Sequence, residues 1–190
     1  MESYQRVDWY NVEETVWKRA PDLNVPRAAH SGCSIGEKTY VFCGATNGRK
    51  AINSIESLNA EDLIAGTARL EWDLIEVPVE TLAPRWGLIV APINENEIVV
   101  MGGYKAGYFG DGYLFDVNTL QLQQVFDTGL KFAAWFNPSQ TFTTKTKQDV
   151  YIGYVAALVT NNLRGGDLMF LTYKKGQIAP TVIEDLGPWK

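Results

Sequence analysis

Few residues in this 190-residue chain have the type and spacing that catalysis needs. Its single histidine, His30, stands next to Ser31 in "RAAHSG". A nucleophilic serine needs a base within hydrogen-bond reach. Neighbours on a strand point to opposite faces, so the pair reads as a structural or surface feature. The two cysteines, Cys33 and Cys43, cannot complete a tetrahedral zinc site with one histidine. They read as small buried thiols in reduced form. "GYFGDG" (107–112) has the glycines of a phosphate loop, but such a loop must open a helix, and this one runs into a strand. No two carboxylates stand out in spacing or apolar setting, so acid–base chemistry has no candidates. The expectation is no catalytic residue, no metal, no cofactor and no enzyme.

Binding is what remains. Aromatic and Arg side chains on exposed loops anchor protein partners. Three glycine- and polar-rich loops carry them: 45–53, 104–111 and 160–166. Tyr104, Lys105, Tyr108 and Phe109 form the first candidate group, and Arg49, Lys50 and Arg164 the second.

Those loops depend on the strands around them. "EIVVM" (97–101) is a short apolar run with β-branched residues, bounded by Gly102-Gly103, as a buried strand would be. Glycine there permits positive φ or a close backbone approach. "GYLFD" follows as a second strand, and Asp116-Val117-Asn118-Thr119 reads as a turn. The pattern recurs. "KTYVFCG" (38–44) and "DVYIGY" (149–154) are further apolar strands ending near glycine, at Gly44 and Gly153. A period near 50 residues points to stacked supersecondary units. Each unit has a preceding strand (27–35, 85–93, 131–142), and the first two follow a proline, Pro26 and Pro84, giving "VPRAAHSG" and "APRWGLIV". Each also has a third strand (54–62, 112–120, 167–176) and a fourth (70–78, 120–127, 177–185). "AEDLIAG" (60–66) resists the β pattern and reads as one helical turn stopped by Gly66.

Four short antiparallel strands per unit describe a propeller blade. In Gly102-Gly103, Tyr113, "LFDVNT" and Trp72 the sequence resembles the kelch-repeat family, over about residues 7–186. The copies are imperfect. Cys43-Gly44 replaces a glycine pair, Gly153-Tyr154 follows the third apolar run, and "NPSQTFTTKTKQD" reads as an insertion. The resemblance implies an all-β fold of kelch-like blades at 27–78, 85–127 and 131–185, in one segment, 1–190. Residues 7–16 would form a lone outer strand, with Trp9 in the place of Trp72.

Three blades are too few to close a ring, since propellers have about four or more. The chain is therefore expected to be an incomplete ring: a fragment, half of a dimeric ring, or a subunit capped by another protein. The implied function is a non-catalytic interaction module or structural subunit, such as a cytoskeletal scaffold. The alternative is a kelch-like enzyme acting on a sugar or other small molecule at the propeller face. Copper oxidases of that family want several His and Tyr ligands, which one histidine does not supply. The net charge of −5 argues against nucleic acid as the partner. No apolar run is long enough to span a membrane, and "MESYQRVDWYNVEE" lacks a signal core, so a cytoplasmic location is expected.

Overall fold

The computed structural model describes residues 2–66 and 70–132. Beyond these it describes the strands 141–145, 150–154, 168–174 and 177–183, with backbone pairing alone from residue 128 onward. The fold is almost entirely β. Two compact units divide at Trp86/Gly87.

The first unit holds a two-stranded and a four-stranded sheet. β1 (Asp8–Asn11) and β2 (Val16–Arg19) form a hairpin. The N-terminal strand expected over 7–16 is thus shorter and is not alone, because the chain turns at 12–15 and pairs back on itself. Four strands follow in meander order: β3 (Ser31–Ile35), β4 (Lys38–Thr46), β5 (Lys50–Asn59) and β6 (Asp73–Ile75). Helix α1 (Ala60–Ala65) lies between β5 and β6. It forms where "AEDLIAG" predicts it. Asn59 Oδ1 accepts from the N–H groups of Glu61 and Asp62, and Gly66 ends it in the left-handed region.

The second unit begins with β7 (Ile89–Pro92), β8 (Glu97–Met101), β9 (Phe109–Asp116) and β10 (Gln121–Phe132), hydrogen-bonded in chain order. A further sheet has the same order: β11 (Thr141–Lys145), β12 (Val150–Tyr154), β13 (Leu168–Lys174) and β14 (Gln177–Ile183). Its first strand departs from the sequence reading. Lys131 and Phe132 belong to β10, and β11 lies inside the stretch read as an insertion. The threonine-rich "TFTTK" suits an edge strand better than its polarity suggested.

The apolar second strands are the buried ones. Tyr40, Phe42, Ile98, Val99, Val100 and Met101 are all buried, as a continuous apolar run requires when both faces are covered. In the first unit Leu23, Val41, Leu58 and Trp72 close a second cluster, and the Trp72 indole donates to Pro21 O at 3.0 Å.

The apolar run of each of these two strands leads into the same backbone conformation, inside β4 and just after β8. Cys43 and Gly44 have φ of 55° and 109°; Gly102 and Gly103 have 64° and 104°. Cys43 therefore does what Gly102 does. It is the unpaired bulge residue between Phe42 and Gly44, so the sequence departure is not a structural one. Gly44 has no such latitude. A Cβ there would sit 2.9 Å from Ala28 O and 3.1 Å from His30 Cβ.

Gly44→Ala combines that clash with a disfavoured φ, so it should cost about 2 kcal/mol or more, whereas Cys43→Gly should change stability by less than about 1 kcal/mol. Urea unfolding of the two variants checks the contrast. Val100→Asp buries an unpaired charge and should cost roughly 3 kcal/mol or more in the same assay.

Candidate interaction surfaces

Tyr104, Lys105, Tyr108 and Phe109 come together in one tight hairpin between β8 and β9. Tyr104 and Tyr108 form an isolated antiparallel bridge. Lys105 N–H donates to Gly107 O at 2.9 Å, with Ala106 at the tip in the left-handed region (φ 55°). Phe109 N–H donates to Gly103 O at 3.0 Å, so the glycine pair anchors the hairpin base. The two tyrosine rings meet edge to face at 5.1 Å and 67°. They are half-buried and Lys105 is exposed. The loop thus offers a fixed aromatic pair beside an exposed cation. Phe109 already lies in β9 and is half-buried.

Arg49 and Lys50 sit on a different hairpin, between β4 and β5. It is shorter than the loop read from sequence, because β4 runs to Thr46 and β5 starts at Lys50. Asn47–Arg49 make one 3-10 turn, with Gly48 and Arg49 both at positive φ. Arg49 and Lys50 are exposed. Asn47 accepts from both Ser3 N (2.9 Å) and Ser3 Oγ (3.1 Å), which docks the N-terminal segment against this turn. Arg164 lies outside the described residues. Gly153 lies in β12, opposite Phe142 and Phe170. Trp9 lies in β1, half-buried with Lys18 Nζ 5.5 Å from its ring centre, while Trp72 is buried just before β6.

The sequence reading passed over a buried polar network that fixes this sheet. Arg27 and Glu56 are fully buried and paired at 2.5 Å. Arg27 Nη1 also donates to Cys43 O (2.7 Å) and Ser54 O (3.1 Å). The Glu56 carboxylate accepts from Asn24 N (2.6 Å), Val25 N (3.1 Å) and Asn24 Nδ2 (3.1 Å). Asn24 Nδ2 reaches on to Trp72 O at 2.6 Å. Its signal in the sequence is the recurrence of Pro-Arg four residues before a first strand, with a lone Glu inside the apolar "SIESL". Arg85, the second copy, is also buried. Its Nε donates to Ala83 O at 2.9 Å, and its backbone bonds both ways to the first sheet, from Gly44 N (3.0 Å) and to Ile52 O (3.2 Å).

Chemistry at the remaining candidates is restrained. His30 is exposed and just precedes β3. Cys33 and Cys43 are unpaired, and burial pushes both thiols up to about 12. Such thiols are poor nucleophiles at neutral pH. "GYFGDG" enters β9, as its sequence context requires. Among the described residues, no three of His, Cys, Asp and Glu could share a metal ion. No helix among them is long and apolar enough to cross a membrane.

No family model matches the chain. Over 101 residues it is 36% identical to an F-box/kelch-repeat protein of Arabidopsis thaliana. The match covers 52% of this chain and 20% of that relative, so the chain spans a minor part of the relative's length. That similarity agrees with the strand and glycine repeat described above.

The buried pair predicts an asymmetric response. Glu56→Ala leaves Arg27 charged in a dry site and should cost about 3–5 kcal/mol in urea unfolding. Cys43 gives a pH test. Its folded pKa is raised above the unfolded value, so its contribution is complete below the unfolded pKa and is lost as pH rises towards about 12. Relative to Cys43→Ala, the parent chain should lose about 2 kcal/mol between pH 8 and pH 10.5, read as urea midpoints at the two pH values.

Proposed function

We propose that the chain is a kelch-like propeller segment acting as a non-catalytic protein-interaction module or structural subunit. The observation that carries this is the repeated unit. Meander sheets of four strands recur, and the apolar runs of two second strands lead into the same left-handed pair, 59 residues apart at Gly44 and Gly103. The similarity to an F-box/kelch-repeat protein over half of the chain supports it. The blades would correspond to 27–78, 85–127 and 131–185.

Within this reading the 104–109 hairpin is the primary contact surface, and Arg49, Lys50 and Arg164 are secondary. Tyr104 and Tyr108 would supply rigid apolar area, and Lys105 would steer an acidic partner. Gly44, Gly102, Gly103, Gly153, Tyr113, Trp9 and Trp72 would be structural. The supporting observation is the fixed aromatic pair that this hairpin carries.

The test is affinity purification with the 190-residue chain and with a Tyr104→Ala/Lys105→Ala/Tyr108→Ala variant. Specific partners should fall about tenfold or more with the variant at unchanged thermal midpoint. An identical partner set for both chains would remove this hairpin from the proposal.

A further inference from the structure

Asn47-Gly48 is the one asparagine–glycine step in the chain. Both residues are exposed, in the 3-10 turn between β4 and β5. In such a step the backbone nitrogen of the glycine can attack the side-chain carbonyl carbon of the asparagine and close a cyclic imide. A side chain on the following residue would crowd that nitrogen, and glycine has none. Gly48 also has open space around it, since a Cβ built there would meet nothing within 4 Å. Its exposure gives water access to hydrolyse the ring.

The fold adds a pair of donors to this motif. Asn47 Oδ1 accepts from Ser3 N at 2.9 Å and from Ser3 Oγ at 3.1 Å. Negative charge develops on that oxygen when a nitrogen adds to Cγ, so donors already in place lower the barrier. Ser3 is buried and held from behind. Tyr4 O accepts from Arg27 N at 3.1 Å, and Gln5 O from Leu23 N at 2.8 Å. Arg27 is in turn fixed by Glu56. The leaving group is unencumbered, because Asn47 Nδ2 has no hydrogen-bond partner among the described residues.

Other asparagines are used differently. Asn11, Asn59 and Asn94 turn Oδ1 onto N–H groups two or three residues ahead. Asn24 and Asn53 commit Nδ2 to carbonyl oxygens. Asp111-Gly112, the one aspartate–glycine step, is shut in another way. Gly112 is buried in β9, with the Phe126 ring where a Cβ would stand.

We infer that Asn47-Gly48 is a self-modifying turn that deamidates with Ser3 as the oxyanion donor. Gly48 N loses its proton to solvent base and bonds to Asn47 Cγ. The Cγ–Nδ2 bond then breaks, and ammonia leaves with a proton taken from water. One water hydrolyses the imide. Cleavage at Cγ gives aspartate, and cleavage at the main-chain carbonyl gives isoaspartate. Either product adds a negative charge beside the exposed Arg49 and Lys50. Isoaspartate also lengthens the backbone between the paired residues Thr46 and Lys50 and moves the acceptor away from Ser3. The N-terminal segment is thereby released from the turn. The inference rests on this turn and not on the 104–109 surface, so the two readings fail separately.

The experiment holds the folded 190-residue chain at about pH 7 and about pH 9, then digests it with trypsin. The 39–49 segment carries Asn47 as its one amide side chain. It should gain the mass of a hydroxyl exchanged for an amino group and elute as isomers of one mass. The gain should be faster at the higher pH, because the attacking nitrogen must lose its proton. Ser3→Ala should slow it about threefold or more in the folded chain, and Ser3→Thr, which restores the hydroxyl, should return it to the parent rate. The difference should vanish in urea, where Ser3 and Asn47 part. In the isoaspartyl fraction the amides of residues 3–5 should exchange about tenfold faster. A folded chain without mass gain at 39–49, under conditions where the urea-unfolded chain reacts, would overturn the inference. So would a Ser3→Ala chain that reacts as fast as the parent or faster. Unchanged exchange at 3–5 in the isoaspartyl fraction would overturn the release of the N-terminal segment.

Discussion

The first sheet depends on one buried ion pair. Two charges taken out of water cost several kcal/mol each, and their attraction offsets this only when the remaining donors and acceptors are satisfied. Arg27 and Glu56 meet most of that condition with backbone. The guanidinium takes the carbonyls of Cys43 and Ser54, and the carboxylate takes the N–H groups of Asn24 and Val25. The entry loop, the end of β4 and the middle of β5 are thereby fixed to one another. Cys43 can hold a positive φ because its carbonyl has a charged donor waiting at 2.7 Å. The same kink turns Gly44 towards Ala28, whose N–H and C=O both bond to Ala45 at 2.9 Å.

The other complete sheet of described side chains reaches the same backbone with different residues. Tyr113 takes the place of Glu56, and its hydroxyl donates to Asp111 at 2.8 Å. Gly102 takes the place of Cys43, so no side chain resists the left-handed turn. Gly112 is flat enough for the Phe126 ring to lie on it; a Cβ there would be 2.1 Å from the ring. A glycine saves strain of about 1 kcal/mol or more in this conformation, and a cysteine needs an outside partner to hold it.

What was legible in the sequence follows from which forces are local. Apolar runs and glycine ends located β4, β8 and β12; in β4 and β8, whose apolar residues are buried, burial on both faces leaves a continuous hydrophobic signature. Asn59, the first-turn acids and Gly66 made α1 readable from caps alone. The polar first strand β11 was not readable, since "TFTTK" has neither an apolar run nor a glycine stop. The β1–β2 hairpin was missed because its turn, "VEET", has no glycine, and its left-handed residue is a threonine. The 104–109 residues were legible as a loop, but the edge-to-face tyrosine pair was not, because it depends on a one-residue tip at Ala106. The Arg27–Glu56 network was hidden for a stronger reason. Charged residues in a sequence read as surface, and only the recurrence of Pro-Arg hinted otherwise.

The hairpin turns put the same point in general terms. The contact from Asn11, Asn59 and Asp116 to an N–H three residues on needs only an Asx side chain, and it leaves the residues after it free to vary. After Asn59 the chain inserts a helix. After Asp116 it makes a four-residue turn, and its carboxyl is held below the ordinary range by the Thr119 and Asn118 N–H groups. A side chain that satisfies backbone donors locally can mark the end of a strand whatever follows it. The repeat in this chain is therefore kept in backbone conformation and in a few polar contacts, at Cys43-Gly44 and Gly102-Gly103 and at the three Asx residues. Sequence identity between the units is free to decay around those points, which is why an imperfect glycine pattern still encodes a regular meander.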